Sequence, residues 1–362
     1  MTSLWKRATT ILAYTFYLWS KENFMRQVVL AEPFRLEMSE ATEPLPTPQE
    51  ALLRVRRLGI CGTDLHAYQG HQPFFTYPRV LGHEISAEIV EIGANPEGFK
   101  VGDTCVVIPY LFCGKCVACR QGKTNCCISL KVLGVHVDGG MREYIAVPVH
   151  NLIRADGLTL EQMAMVENQC IGAHAVQRAD LQPGETVLVI GAGPIGLGVS
   201  QFAKIRDAKV ILSDLSERRL NFARQWLKPD YVVNATQDSV AHLNEITAGD
   251  FPTAVFDCTG SHQSMTNAFN YVAHGGRLVL VGLIQGEVSF NDPNFHRRET
   301  TLLSSRNATR QDFEHVIQAI AKHKAVIDPF ITHHVTLDGV VGEFSHWLTP
   351  DSGVLKAMVE FR

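Results

Sequence analysis

The chemically most suggestive stretch of this 362-residue chain is a cysteine-rich loop, LFCGKCVACRQGKTNCC, at residues 111–127. It holds five of the nine cysteines of the chain. Four of them have the spacing C-x2-C-x2-C-x7-C: Cys113, Cys116, Cys119 and Cys127. A tight loop with a cysteine at every third position can point three thiolates inward, and a return of the chain can add the fourth. The spacing therefore predicts a tetrahedral zinc site.

Two other uses of these thiols stay open. A disulfide framework is typical of small exported chains. An iron–sulfur cluster also takes four thiolates, although its usual spacings differ from this one. Cys126 adjoins Cys127 and could supply the fourth ligand in its place. Because a zinc ion with four protein ligands has no open position for a substrate, we interpret the loop as structural and expect the reaction chemistry elsewhere.

A second candidate metal site lies upstream, in GICGTDLHAYQG (59–70) and VLGHEISAEIVEIG (80–93). Cys61, His83 and Glu84 offer a thiolate, an imidazole and a carboxylate, which together with water form the open coordination of a catalytic zinc. Glu167, in the apolar run MVENQCIGAHAV (165–176), is a further carboxylate. It could bind the zinc, exchange with Glu84, or merely cap the start of a helix. The joint occurrence of these residues, rather than any one of them, predicts the site.

A dinucleotide site is predicted by ETVLVIGAGPIGLGVSQFAKIRDAKVILSDLSERRL, residues 185–220. An apolar strand at 187–190 leads into G-x-G-x-x-G and an apolar helix, and a second strand at 209–213 ends at Asp214. The glycines allow a tight turn and close approach of a pyrophosphate, and the helix N-terminus attracts the phosphates. The loop residues expected to contact the cofactor are Gly191, Gly193, Pro194, Ile195 and Gly196.

The acidic residue of this unit indicates which dinucleotide binds. Asp214 should accept hydrogen bonds from the adenosine ribose and repel a 2′-phosphate, which favours NAD over NADP. Arg218 and Arg219 lie close by and keep NADP as the alternative, and we expect Arg219 to contact the cofactor. Apolar strands at 253–260 and 276–283 continue the strand–helix alternation and predict a parallel sheet.

The composition is that of a globular protein, with 46% hydrophobic and 19% charged residues. The length suffices for two domains, and the net charge of −4 gives no reason to expect nucleic acid or a membrane surface as a partner. Residues 1–24 hold a short apolar run that lacks the small-residue cleavage site of a signal peptide. We interpret residues 1–24 as an extension and Met25 as the start of the first strand.

With these motifs assembled, residues 25–362 resemble the zinc-dependent medium-chain alcohol dehydrogenase family. The resemblance is carried by GICGTD, GHE, the four-cysteine loop, GAGPIG with its acidic partner, and the final LKAMVEF. Within the family, HQPFFTYPRVLGHE and VLGVHVDGGMREY look most similar to the L-galactonate oxidoreductase branch of the polyol and sugar-acid dehydrogenases. Sorbitol and threonine dehydrogenases are the further relatives that the resemblance suggests.

The resemblance implies an α/β fold with two domains. A GroES-like, β-rich catalytic domain would comprise residues 25–178 and 305–362. A Rossmann domain with a doubly wound parallel sheet would be inserted at 179–304. The family also implies two zinc ions per subunit, one catalytic and one structural, together with NAD and assembly into a homodimer or homotetramer. Since free nicotinamide cofactor and reduced thiolates are typical of the cytoplasm, we expect the protein there.

The resemblance also assigns roles to single residues. It makes Cys61, His83 and Glu84 ligands of the catalytic zinc and Glu167 a nearby carboxylate. Asn168 stands where relatives often have proline, and this difference would re-aim Glu167. Three more roles follow by position: Thr63 contacts the substrate hydroxyl, His66 passes its proton to solvent, and Lys356 lies near the cofactor pyrophosphate. His66 could instead be a solvated loop residue.

The expected reaction is oxidation of a secondary alcohol of a polyol or sugar acid, with hydride transfer to NAD. Arg306 is a candidate partner for a substrate carboxylate, although it could instead brace the junction between the domains. The alternatives are a zinc-linked dehydrogenase of a simple alcohol, formaldehyde or threonine, a zinc-free reductase, and a scaffold protein without activity. The intact zinc constellation disfavours the last two.

Overall fold

The computed structural model describes residues 23–73 and 75–362 of the chain. Residues 1–22 of the predicted extension at 1–24 therefore lie outside the described residues. The first strand begins at Phe24, one residue before the predicted start, and Phe24 is exposed there.

The described strands form antiparallel pairs in the N-terminal half and a separate parallel sheet after it. In chain order they are β1 (Phe24–Glu32), β2 (Arg35–Thr42), β3 (Glu50–Gly59), β4 (Arg79–Val80), β5 (Glu84–Ile92), β6 (Thr104–Val107), β7 (Tyr110–Leu111), β8 (Lys131–Val132), β9 (Tyr144–Pro148), β10 (Leu152–Ile153), β11 (Thr186–Ile190), β12 (Lys209–Asp214), β13 (Tyr231–Asn234), β14 (Ala254–Asp257), β15 (Arg277–Leu280), β16 (Thr301–Ser304), β17 (Ile331–Thr336) and β18 (Lys356–Glu360).

The helices are concentrated between and after the strands of the parallel sheet. In chain order they are α1 (Gly62–Tyr68), α2 (Val117–Arg120), α3 (Leu160–Ala179), α4 (Pro194–Ile205), α5 (Glu217–Trp226), α6 (Ser239–Ile246), α7 (His262–Ala268), α8 (Asp292–Arg298), α9 (Arg310–Ala321) and α10 (Val340–Glu343). Within the described residues, no helix is long and apolar enough to cross a membrane.

The largest mainly antiparallel sheet is built from both ends of the chain. Its strand order is β10-β6-β5-β3-β18-β17, and β9 also pairs with β3. The last strand, β18, runs antiparallel to β3, with Met358 opposite Gly59. Because β18 lies between β3 and β17 in this sheet, the segment after the parallel sheet completes the same β-rich unit that the N-terminal half begins.

The parallel sheet has the strand order β13-β12-β11-β14-β15-β16. Its central strand, β11, reads TVLVI and is almost entirely buried, as expected for a strand covered by helices on both faces. The order reverses between β11 and β14, which defines a doubly wound Rossmann sheet and confirms the predicted fold class. The crevice at the carboxyl ends of these two strands is where such sheets bind ligands.

Helix α3 connects the two units. It begins at a capping box in which Thr159 and Gln162 bond reciprocally to each other's backbone N–H groups. Its buried faces pack against β5 on one side and against α4 and α9 on the other. Gly172 permits the crossing with α4, since a Cβ atom there would lie 2.5 Å from the carbonyl carbon of Gly198. A side chain carried by α3 is therefore held between the two sheets.

Candidate active site and metal centres

Asp64 joins the two segments that carry the upstream cysteine and histidine. Its carboxylate is fully buried and accepts a hydrogen bond from the N–H of Cys61 at 2.9 Å, at the start of α1. The other oxygen accepts from the N–H of Gly82 at 3.2 Å and lies 3.9 Å from Nδ1 of His83. One side chain thus places Cys61 and His83 side by side, although 22 residues separate them in the sequence.

The structure brings together Cys61, His83 and Glu84, whose ligand atoms all lie within 4.8 Å of one another. Gly59 makes room for the carboxylate, because a Cβ atom there would lie 2.1 Å from Oε2 of Glu84. Burial opposes a charge on His83, but the neighbouring Cys61 and Asp64 outweigh it and raise the pKa of the imidazole well above its usual value. A partly buried thiol beside a buried imidazole and a buried carboxylate fits a zinc ion.

Lys356 lies in this site and not in the dinucleotide loop. Its ammonium group is 1% exposed and contacts both oxygens of Glu84, at 2.6 and 2.8 Å, and the carbonyl of Ile60 at 3.0 Å. Burial alone would lower the pKa of Lys356, but the Glu84 carboxylate raises it. In this structure the charge of Lys356 balances the buried Glu84, and its place near the cofactor pyrophosphate stays a prediction.

Glu167 lies beside this group but outside the set of converging ligand atoms. Its carboxylate accepts a short hydrogen bond from the hydroxyl of Tyr110, and both side chains are buried. Burial, with the nearby charge of Glu84, raises the pKa of Glu167. The following residue, Asn168, directs its side-chain amide to Oε1 of Glu84 at 3.5 Å. Of these two neighbours on α3, Glu167 is itself a carboxylate bonded by Tyr110, whereas Asn168 contacts the carboxylate of Glu84.

The four predicted cysteines of the structural site also converge. The Sγ atoms of Cys113, Cys116, Cys119 and Cys127 lie within 4.8 Å of one another, and those of Cys116 and Cys119 are 3.4 Å apart. Zinc–sulfur bonds of about 2.3 Å in a tetrahedron place the sulfurs about 3.8 Å apart, so the group fits zinc. Cys126 is exposed and does not belong to it.

Burial raises the pKa of the Cys119 thiol to about 12, whereas backbone N–H groups favour the thiolate form of Cys116. Those of Cys119 and Ile128 lower the pKa of Cys116 to about 6. The N–H groups of Cys113 and Ser129 point at Sγ of Cys127, at 3.3 and 3.4 Å. Thiolates are the form that binds a metal.

The glycine-rich loop lies at the reversal point of the parallel sheet. Gly191 follows β11 with φ +102°, and Gly193 caps α4, whose first residue is Pro194. A Cβ atom on Gly196 would lie 1.7 Å from the carbonyl oxygen of Gly191, so only glycine permits this approach of helix and turn. Ile195, the second residue of α4, is partly exposed, and the N-terminus of α4 opens towards the crevice.

Asp214 ends β12 next to this loop. Its carboxylate accepts the N–H groups of Ala192 at 2.6 Å and Ser216 at 2.7 Å, which ties the glycine loop to the second strand. The guanidinium of Arg219 is half-exposed, 4.0 Å from Asp214 and 3.9 Å from the Cβ position of Gly193. That of Arg218 instead lies 3.3 Å from the Cβ position of Gly353. Of the two predicted arginines, Arg219 is the one beside the loop.

Thr63 and His66 lie on α1, three residues apart and thus on the same side of the helix. Thr63 is partly buried next to Cys61, whereas His66 is exposed. Desolvation and the nearby His71 lower the pKa of His66. The neutral imidazole, which can accept a proton, therefore persists to a lower pH than in a free histidine.

Comparisons with known proteins agree with this arrangement. The alcohol dehydrogenase GroES-like domain matches residues 47–157, and the zinc-binding dehydrogenase domain matches residues 194–322. The chain is 42% identical to L-galactonate-5-dehydrogenase of Escherichia coli K12 over 93% of this chain and 99% of that protein. It belongs to the zinc-binding alcohol dehydrogenase family.

Two other relatives extend the match. L-threonine 3-dehydrogenase of Pyrococcus furiosus is 33% identical, over 82% of this chain and 87% of that protein. The crystal structure of an alcohol dehydrogenase from Escherichia coli CFT073, complexed with NADH, superposes with a TM-score of 0.87. It is 31% identical, over 93% of this chain and 99% of that chain. The predicted family and enzyme class, an alcohol dehydrogenase, are confirmed.

Sequence reasoning missed two residues of this alcohol dehydrogenase site. Asp64 is the acidic residue of the quoted motif GICGTD, and its position three residues after Cys61 is the signal for a capping carboxylate. Tyr110 gave no signal, because its contact with Glu167 joins residues 57 positions apart.

Proposed function

We propose that this chain oxidises a secondary alcohol of a polyol or sugar acid, such as L-galactonate, with hydride transfer to NAD. The observation that carries the proposal is the convergence of Cys61, His83 and Glu84 in a chain with 42% identity to an L-galactonate-5-dehydrogenase. The same comparison supports a small hydroxylated molecule as the substrate.

In this proposal Cys61, His83 and Glu84 hold the catalytic zinc, and the four-cysteine loop holds the structural one. When bound, zinc supplies a Lewis acid that lowers the pKa of the substrate hydroxyl, and the nicotinamide accepts the hydride. The alcohol thereby loses a hydride and a proton and becomes a carbonyl compound. Glu167 is the nearby carboxylate, held by Tyr110.

The proton leaves along α1. The hydroxyl of Thr63 accepts the hydrogen bond of the substrate alcohol, which orients the hydroxyl for deprotonation. His66, on the same side of the helix and exposed, takes the proton and releases it to solvent. Its lowered pKa keeps the accepting form available at neutral pH.

The cofactor binds at the crevice between β11 and β14. The N-terminus of α4 holds the pyrophosphate, and Asp214 accepts the ribose hydroxyls, which favours NAD. Arg219 lies over the glycine loop, where its charge contacts a phosphate of the cofactor. A comparison of kcat/KM for NAD and NADP tests this preference, and faster turnover with NADP would reject it.

Arg306 is our candidate for binding a substrate carboxylate. It is exposed, and its charge, after desolvation, lowers the pKa of His136. The loop that carries His136 is bonded to the segment before His83, through Gly139 N–H to Val80 at 2.8 Å and Gly140 N–H to Gly82 at 2.9 Å. This supports a positively charged surface near the candidate metal site.

The deciding experiment is metal analysis of protein never exposed to chelator, followed by rate measurements with NAD on aldonates, neutral polyols, threonine and ethanol. We expect two zinc ions per chain and the highest kcat/KM on an aldonate such as L-galactonate. In Arg306→Gln, KM for the aldonate should rise about tenfold or more, with little change for a neutral polyol, since a charge-assisted hydrogen bond is lost.

The other results have definite meanings. Two zinc ions with turnover only of neutral polyols or simple alcohols would reject the sugar-acid assignment and keep the enzyme class. Turnover of threonine would favour the second candidate, a threonine-type dehydrogenase, which the 33% identity to L-threonine 3-dehydrogenase supports. One zinc ion or none would reject the assignment of Cys61, His83 and Glu84.

We also propose assembly into a homodimer or homotetramer in the cytoplasm. Among the described strands, β16 has a neighbour on one side only, and its Leu302 is 41% exposed. Such an edge is suited to pairing with a second copy. Light scattering of the purified protein tests this, and a monomer at micromolar concentration would reject it.

A further inference from the structure

A line of buried side-chain amides connects the cofactor helix to Glu84. It consists of Gln201 on α4 and of Gln169 and Asn168 on α3, with exposures of 6%, 0% and 1%. Gln201 donates to Gln169 at 3.2 Å, Gln169 donates to Asn168 at 3.1 Å, and Asn168 donates to Oε1 of Glu84 at 3.5 Å. At the far end, Oε1 of Gln201 accepts the backbone N–H of Val326 at 2.9 Å.

The orientation of every amide in this line is determined by its two ends. The N–H of Val326 can only donate, so it fixes the oxygen of Gln201 as the acceptor and the NH2 group as the next donor. Glu84, as a carboxylate, can only accept, so it fixes Asn168 as a donor. Hydrogen bonds aligned in one direction polarise one another, which strengthens the final donor to Glu84.

The line joins the two helices to Glu84, so that a displacement of α4 can change the orientation of Glu84. Gln201 belongs to α4, the helix that begins at the glycine loop, and Gln169 belongs to α3, which crosses α4 at the Gly172–Gly198 contact. Glu84 receives two kinds of donor on Oε1, the Lys356 ammonium and the Asn168 amide. The ammonium supplies charge, whereas the amide line supplies a directional link to the cofactor-binding unit.

We infer that Gln201, Gln169 and Asn168 are positioning residues, which hold Glu84 in its metal-binding orientation and link that orientation to the cofactor helix. The inference rests on the proposed role of Glu84 as a metal ligand. Buried amides are costly unless they are bonded, so a complete and oriented line is a specific feature of this core.

The test uses the zinc-loaded enzyme and substitutions far from the metal. Gln201→Met removes the amide but keeps the length and volume of the side chain. Gln169→Met interrupts the same line on α3, should Gln201→Met not fold. Ser200→Ala is the matched control: Ser200 is fully buried on α4, and its hydroxyl has no hydrogen-bond partner among the described residues.

The first readout is the rate at which a chelator removes zinc, with the phase belonging to this site identified as the one that Glu84→Gln accelerates. We expect Gln201→Met to accelerate that phase about threefold to tenfold, the range for a lost hydrogen bond between neutral groups, and to lower kcat while leaving KM for NAD unchanged. Ser200→Ala should match the unmodified protein. A cobalt-substituted sample of Gln201→Met should also show a changed visible absorption spectrum.

The second readout separates positioning from general destabilisation. If the amides act as one line, the double variant Asn168→Ala with Gln201→Met should release zinc no faster than Asn168→Ala alone. Additive acceleration, or unchanged zinc release in Gln201→Met and Gln169→Met, would overturn the inference. Absence of zinc at Cys61, His83 and Glu84 in the unmodified protein would instead overturn the proposed function, so the two failures are distinguishable.

Discussion

At the scale of residues, the site is organised around a carboxylate that water does not reach. Glu84 is fully buried, and a buried carboxylate is stable only when donors and positive charge surround it. Lys356 supplies positive charge and a donor, and Asn168 supplies a second donor, both to Oε1 of Glu84. The motif GHE indicated Glu84 as a ligand, but nothing in the sequence indicated that Lys356, 272 residues later, is its counter-charge.

The role of His66 gives a pH-dependent prediction. In His66→Gln the proton has no imidazole to accept it, so the rate should fall about a hundredfold near pH 7 and approach that of the unmodified enzyme at high pH, where hydroxide replaces the base. Small amine buffers should restore part of the rate. Steady-state kcat measured from pH 5.5 to 10 checks this, and identical profiles for both proteins would rule out the relay.

His71→Gln is the matched control for this prediction. His71 lowers the pKa of His66, so its removal should raise that pKa. Because the proton acceptor is the neutral imidazole, a higher pKa moves the acidic limb of the rate profile to higher pH while the plateau rate stays the same. A shift to lower pH would contradict the assignment of that limb to His66.

At the scale of elements, the contact between α3 and α4 positions both halves of the site. Helix α3 carries Glu167 and Asn168, and α4 begins at the glycine loop. The helices approach closely because Gly172 and Gly198 have no side chains at the crossing. The helix after the glycine loop was predicted from the sequence, but α3 and its crossing with α4 were not, since the crossing depends on which faces meet.

Gly172→Ala tests this contact. The added methyl group would lie 2.5 Å from the carbonyl carbon of Gly198, which is backbone and cannot move aside. We expect a loss of about 1–3 kcal/mol in the free energy of unfolding and a higher KM for NAD, since α4 is displaced. Thermal denaturation and initial rates measure the two effects.

Gly342→Ala is the comparison variant. Gly342 lies in α10, and a Cβ atom there meets no heavy atom within 4 Å. Stability should stay the same or rise by up to about 1 kcal/mol, because alanine favours the helix. Equal destabilisation by both substitutions would mean that the crossing is not responsible.

At the scale of the whole molecule, the four-cysteine loop is part of a core shared by both units. Cys116, Cys127 and Leu130 belong to the same buried cluster as Val189 of the parallel sheet and Phe313 of α9. Metal binding in this loop therefore contributes to the stability of the entire fold and not only to that of the loop.

Cys127→Ser should reduce the metal content from two zinc ions to one and lower the melting temperature by several degrees, with zinc and protein measured in the same sample. Cys126→Ser should retain both ions and the melting temperature, because Cys126 is exposed and outside the converging set. If Cys126→Ser lost the metal instead, the fourth ligand would be Cys126.

Motifs in which neighbouring residues act together could be read from the sequence. The four-cysteine loop, the glycine turn and the strand that ends at Asp214 each depend on local backbone geometry, which residue type and spacing specify directly. For the same reason Asp64 could have been found, since its bond to the N–H of Cys61 spans three residues.

Contacts between distant segments were decided only by the tertiary structure. The pairing of Lys356 with Glu84, the bond from Tyr110 to Glu167 and the amide line from Gln201 to Glu84 join residues on separate elements. Such partners are chosen by burial: once the sheets and α3 enclose these groups, each must be bonded by whatever side chain the fold brings near. The residue types of the site thus follow from the sequence, and their partners follow from the packing that removes water from them.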